Sequence, residues 1–293
     1  RNGVERVSKF MMPVLVVLAV VIMVYSVTRP GALAGVKYFL IPQPENFSWM
    51  TVVTAMGQMF YSLSIAMGIL VTFGSYMKDD VSIERSTVNV EFFDTAIAVM
   101  AGLMIIPAVF SFSGGDAETL QAGPSLMFIT IPKVFASMGF GSIVGVLFFF
   151  LVLCAALTSS IALTESAVST FEDELGWGRK KSVVILAGIM FVLGSLSSLG
   201  YGPLRSMKIL GMACLDFFDF LTNSVMMPVA AIATCFLVTK VIGIDKIDEE
   251  MTKENGTFKR KRIFVFMIRF MCPIFAAIIL ISSIANAFGW ISM

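Results

Sequence analysis

Hydrophobic positions in this chain neither alternate nor mark single helix faces. They run together in blocks long enough to cross a bilayer. Seven such blocks stand at 10–28, 51–76, 89–112, 141–172, 181–199, 211–240 and 263–288. Each meets or comes close to the roughly 20 residues a helix needs to traverse about 30 Å of hydrocarbon. A further apolar stretch, GPSLMFITIPKVFASMGF at 123–140, is shorter and interrupted by Pro132, which predicts a re-entrant or surface hairpin. The pattern predicts an all-α polytopic membrane protein with about seven transmembrane helices.

Two blocks carry residues that lipid disfavours. The stretch 49–77 is too long for one upright helix, since about 26 helical residues rise roughly 39 Å. Its middle holds Gly57, Ser62, Ser64, Ala66 and Gly68. Small and hydroxyl residues permit an unwound segment there, and freed backbone groups at that depth must line a cavity or bind something. A tilted helix that packs through its small residues is the alternative. The second block ends LCAALTSSIALTESAVSTFEDELG, 153–176. Thr158 and Ser159 lie three and four residues after Ala155, so both hydroxyls reach back toward the Ala155 carbonyl. Three neutral oxygens then converge and suit a hard cation such as Na⁺. Simple back-bonding of the hydroxyls is the competing account. Asp94, Glu165, Asp216 and Asp219 also fall inside spans, where an ionisable group marks a functional hypothesis. Arg269 lies near a span end and snorkels, and Glu172 and Asp173 stand at a solvated helix end.

Composition sharpens the class. Of 293 residues, 57% are hydrophobic and 14% charged, which excludes an ordinary soluble domain. A net charge of +1 gives no support to a nucleic-acid partner. The absence of histidine removes histidine-based catalysis, metal ligation and proton relays. Cys154, Cys214, Cys235 and Cys272 read as small buried hydrophobes rather than a disulfide or metal framework. No signal peptide is visible, and a first residue of Arg1 in place of Met leads us to expect a longer protein. The N-terminal end and the loops near 77–88, 173–181 and 240–262 carry 15 Lys and Arg, against five on the opposite side. The positive-inside rule makes Arg1 cytoplasmic and Met293 external, in a multi-pass protein of the plasma or inner membrane.

Three motifs in this order, GQMFYSLSIAMG…FGSYM (57–77), ALTSSIA followed by FEDELG (156–176) and FFDFLTNSVMMP (217–228), resemble the neurotransmitter:sodium symporter family. That family has the leucine-transporter inverted-repeat fold, whose broken-helix logic is general to such transporters. The resemblance covers essentially the whole chain 1–293 as one transporter domain, but only helices five to eleven of a bacterial-type member. It implies that 10–28 is the last helix of the first repeat, 51–240 the second five-helix repeat and 263–288 an additional helix.

The resemblance implies roles position by position. Ala155, through its carbonyl, Thr158 and Ser159 match the second sodium site, the residues the geometric argument also reaches. Ser62 and Asp94 match the part of the first sodium site that helices six and seven supply. Tyr61 matches the aromatic lid over the substrate, and Ser64, Met67 and Leu163 match its side-chain subsite. Asp219 matches the acidic half of the outer gate, and Asp173 that of the inner gate, with Tyr76 beside it. Met67 departs from the Phe of several relatives, and Asp94 from the Asn of many. Gln58 matches a chloride-site residue, but Ala98 stands where chloride-dependent members have Ser. The expectation is that Asp94 supplies the compensating negative charge and transport is chloride-independent. Glu165 receives no role. The implied activity is sodium-coupled symport of an amino acid or related small amine-bearing solute by alternating access, without enzyme activity or an organic cofactor. A channel, a seven-span receptor or structural protein, and an inactive fragment are the rival readings; a channel would want a continuous polar stripe, whereas the polar residues here cluster at mid-depth.

Overall fold

The computed structural model describes residues 2–78, 80–115, 123–253 and 258–290. Arg1 and Met293, whose sides of the membrane the charge census assigns, lie outside the described residues. Besides a 3₁₀ turn at Pro44–Asn46, eleven longer helical elements follow in chain order among the described residues: α1 (Asn2–Val27), α2 (Ala32–Leu40), α3 (Trp49–Ser62), α4 (Ile69–Gly74), α5 (Ile83–Ser113), α6 (Gly123–Ala136), α7 (Gly141–Leu175), α8 (Arg179–Leu199), α9 (Cys214–Ile242), α10 (Ile244–Met251) and α11 (Lys261–Ala287). Six of them, α1 (over Arg6–Val27), α5, α7, α8, α9 and α11, are long and apolar enough to cross a membrane. The chain is a multi-pass membrane protein. The remaining apolar block, 51–76, is α3 and α4 with a non-helical interval between them.

Proline shapes several helices. The backbone widens into a π-helical turn over Leu126–Thr130, Phe220–Met226 and Met267–Met271, just ahead of Pro132, Pro228 and Pro273. Proline lacks an N–H and its ring crowds the carbonyl four residues back, so a wider preceding turn relieves both problems without ending the helix. This is why 123–136 forms a continuous helix rather than the expected hairpin. Pro132 sits in its wall, and Ile131, Val134 and Phe135 are buried.

The chain divides into two compact units, Arg1–Phe47 with Val90–Ala162, and Ser48–Asn89 with Leu163–Met293. In the first, Ile22, Ala108, Ile131, Val134 and Phe148 form the heart of one apolar core. Helix α2, which the block pattern does not announce, packs there through Gly35; a Cβ on it would lie 2.8 Å from the Cα of Pro107. In the second unit α9 packs along α11, burying Ala231, Cys235, Ala276 and Ile279. Outward-facing apolar residues such as Val184 and Phe191 of α8 stay exposed at 70% and 77%, as lipid-facing positions should. All four cysteines are free; three are buried and Cys272 is half-buried.

Candidate functional site

The second unit is organised around the break between α3 and α4. Ser48 caps α3: its hydroxyl accepts from the Thr51 N–H at 3.3 Å and its own N–H donates to the Thr51 hydroxyl at 3.2 Å. The helix then ends at Ser62. Over 63–68 the regular ladder gives way to mixed turns: the Ser64 N–H donates to the Tyr61 carbonyl and the Ile65 N–H to the Phe60 carbonyl, at 3.0 and 3.2 Å. Ser64, Ala66 and Gly68 take left-handed φ values of 53°, 64° and 78°. For Ser and Ala that conformation costs on the order of 1–3 kcal/mol each, and it persists only where the surroundings hold it. The expected unwound segment is therefore present. The tilted-helix alternative does not describe this chain.

The α4 side of the break is tied to the second half of α7, and the ties lie within this unit. A Cβ on Gly68 would stand 2.9 Å from the Ser166 hydroxyl, so only glycine admits the approach. One turn on, the Thr72 hydroxyl donates to Ser166 Oγ at 3.4 Å in a buried position. Beyond α4 the Tyr76 phenol donates to Glu165 Oε1 at 2.9 Å. Glu165, 5% exposed, also takes a two-pronged ion pair from Arg179: Nη2 to Oε2 at 2.5 Å and Nη1 to Oε1 at 3.3 Å. Arg179 reaches Glu172 at 3.5 Å. Its place is set by the turn between α7 and α8, where Trp177 packs on Phe171 and carries the Lys181 ammonium over its ring at 4.2 Å.

Glu165 and Arg179 are the pair the motif matching misses. The sequence signal was there: a carboxylate deep in a span demands a cation, and Arg179 follows fourteen residues later. Tyr76, expected beside Asp173, donates its phenol O–H to Glu165. Asp173 itself is exposed near the end of α7.

In the first unit, the Thr158 hydroxyl lies 2.9 Å from the Ala155 carbonyl and 3.2 Å from that of Cys154. The Thr158 hydroxyl thus bonds back to the carbonyls three and four residues earlier, the arrangement that the back-bonding account describes. Ser159 is the next residue on the same turn and is exposed. The donor set is neutral oxygen throughout, which fits a hard monovalent cation. Binding it requires the Thr158 hydroxyl to turn its lone pairs outward. Asp94, in the same unit, is half-buried in α5, whereas Ser62 closes α3 in the second unit.

Of the residues matched to the substrate site, Ser64 lines an apolar cavity of about 410 Å³ beside the break, with Met59, Phe60, Cys235, Met267 and Phe275. Tyr61 and Leu163 are exposed, Met67 is half-buried within the break and Gln58 is exposed on α3. Asp219 is exposed at the start of the π turn of α9, where it accepts from Asn223 Nδ2 at 2.5 Å.

Comparison with known proteins bears on this arrangement. A family model described as the Sodium:neurotransmitter symporter family matches residues 1–289. An uncharacterized sodium-dependent transporter of Haemophilus influenzae is 30% identical over 284 residues, 97% of this chain and 61% of that protein. The uncharacterized sodium-dependent transporter YhdH of Bacillus subtilis is 31% identical over 287 residues, 97% of this chain and 62% of that protein. The crystal structure of MhsT in complex with L-phenylalanine superposes with a TM-score of 0.82 at 32% identity, covering 97% of this chain and 63% of that one. The chain thus spans about three fifths of the length of the curated relatives it matches.

Proposed function

The chain belongs to the sodium:neurotransmitter symporter family, and from that premise we propose that the protein is a sodium-coupled symporter of an amino acid or related small amine-bearing solute. The observation that carries the reading is the left-handed break at Ser64, Ala66 and Gly68. A helix interrupted in a membrane segment turns backbone donors and acceptors toward a polar solute that lipid would never meet. The relatives' sodium dependence supports Na⁺ as the coupling ion, and the complex of MhsT with L-phenylalanine supports an amino acid as the solute.

In this mechanism Na⁺ takes the Ala155 carbonyl and the Thr158 and Ser159 hydroxyls on one side, and Ser62 and Asp94 contribute to a second ion. Tyr61, Ser64, Met67 and Leu163 contact the solute, Tyr61 as a lid. The Asp94 carboxylate supplies the negative charge that chloride supplies elsewhere, and Gln58 is the residue kept from the chloride site. Asp219 closes the outer path; Asp173 and Tyr76 close the inner one. The segment 51–240 acts as the second of two repeats. The gradient of Na⁺ does the work and no covalent bond changes, so neither enzyme activity nor an organic cofactor is required. The protein sits in the plasma or inner membrane with the loops at 173–181 and 240–262 cytoplasmic.

The test is uptake. The protein as its host makes it is reconstituted in proteoliposomes and given radiolabelled amino acids under an inward Na⁺ gradient. Accumulation that collapses when K⁺ or choline replaces Na⁺ is the expected result. Flux indifferent to Na⁺, or dissipative flux of ions without solute, would refute symport and favour a channel.

A further inference from the structure

Four consecutive cations, Lys259, Arg260, Lys261 and Arg262, stand at the mouth of α11. As a topological signal they need no order, because loop charge alone orients a membrane protein. Yet they are held. The Glu84 carboxylate, half-buried at the start of α5, accepts from the Lys259 N–H with one oxygen and from the Arg260 N–H with the other, each at 3.2 Å. Phe258 and Phe264 close the turn from either side, with ring centroids 5.4 Å apart. The Phe264 N–H donates to the Arg260 carbonyl at 2.9 Å, so Arg260 opens the first turn of α11 and Lys259 stands just ahead of it. Lys261 is used internally, its ammonium 2.7 Å from Asp248 of α10. Lys259 and Arg262 are exposed.

The next residues face lipid: Ile263 is 64% exposed and Phe266 53%. The cations therefore sit at the headgroup level of the helix whose apolar side chains enter the bilayer below them. Glu84 spends its charge on backbone N–H groups rather than on the neighbouring side chains. A basic cluster fixed just outside a membrane-spanning helix is complementary to anionic lipid headgroups.

We propose that the turn Lys259–Arg262, clamped by Glu84, is a binding site for the headgroup of an anionic phospholipid. It rests on the membrane-spanning character of α11 alone and is independent of the transport reading.

The experiment titrates the purified protein with short-chain phosphatidylglycerol, and with phosphatidylcholine as reference, reading thermal stability. The double variant Lys259→Gln/Arg262→Gln is compared with Lys246→Gln/Lys253→Gln, which removes the same charge from the same loop. Each headgroup contact is worth about fivefold in affinity. The first pair should therefore weaken phosphatidylglycerol binding about tenfold or more, while the second stays close to the parent. An equal loss in both would overturn the site in favour of bulk charge. Glu84→Gln is the sharper variant. It removes a negative charge, so unspecific attraction to anionic lipid must rise, whereas loss of the clamp lowers affinity. Unchanged or tighter binding by a folded Glu84→Gln protein would defeat the proposal, and if that variant does not fold, the paired comparison decides.

Discussion

At the residue scale, the chemistry concentrates on a few oxygens and one glycine. Thr158 donates to two carbonyls of its own helix. Thr158→Val keeps the shape and removes the oxygen, and Thr158→Ser keeps the oxygen. A hydrogen bond to a charged group is worth about 1.5–3 kcal/mol. The Na⁺ concentration for half-maximal uptake should therefore rise about tenfold or more in the valine variant and return near the parent value in the serine one. Uptake by the parent should be the same in chloride and gluconate media, because Asp94 carries the charge; Asp94→Asn should either lose uptake or make it need chloride. A parent that stops without chloride would remove that role from Asp94. Gly68 is a conformational requirement. An alanine there carries the left-handed penalty of about 1–2 kcal/mol and also meets the Ser166 hydroxyl at 2.9 Å. Gly68→Ala should lower the melting temperature in detergent, whereas Gly57→Ala, whose Cβ would have nothing within 4 Å, should not.

At the scale of elements, the short helix α4 and the turn after it are fastened to α7 by Ser166 and Glu165. The Glu165–Arg179 pair is buried at one end and half-exposed at the other. Breaking a fully buried pair costs about 3–5 kcal/mol, but solvent screens the Arg179 end, so a loss of about 1–2 kcal/mol is expected for Glu165→Gln. Tyr76→Phe should cost about 1 kcal/mol. Because both variants act on one network, the double variant should lose less than the sum, and full additivity in thermal or chemical melts would show that Tyr76 and Glu165 do not act together. If this fastening also holds the inner exit shut, both variants should raise modification of a cysteine introduced at Ser75. The prolines act at this scale too. Each of the three that follow a widened turn is carried inside a helix, which is why Pro132 is a poor guide to where 123–136 ends.

At the scale of the whole molecule, cysteines introduced at Lys180 and at Arg205 should label from opposite faces of oriented membranes, position 180 from the cytoplasmic side. The reverse pattern would invert the assigned topology. The membrane class, six of the spans within a few residues and the break in the remaining block are all legible in the sequence. Lipid forces apolar side chains into unbroken runs and forces interruptions to be small and polar. The Thr158 hydroxyl's bond back to the Ala155 carbonyl is legible for a similar reason, since it depends only on helical spacing. What the sequence does not determine are matters of partnership between distant segments. Glu165 asks for a cation, but only the fold chooses Arg179 and adds the Tyr76 phenol. Glu84 lies 175 and 176 residues before the two backbone N–H groups it holds. Helix α2 and the continuous course of α6 rest on burial against a core assembled from other spans. Local pattern fixes whether a segment can live in lipid; which polar group answers which is set by three-dimensional packing, because desolvation makes each buried charge take the partner the fold brings within reach.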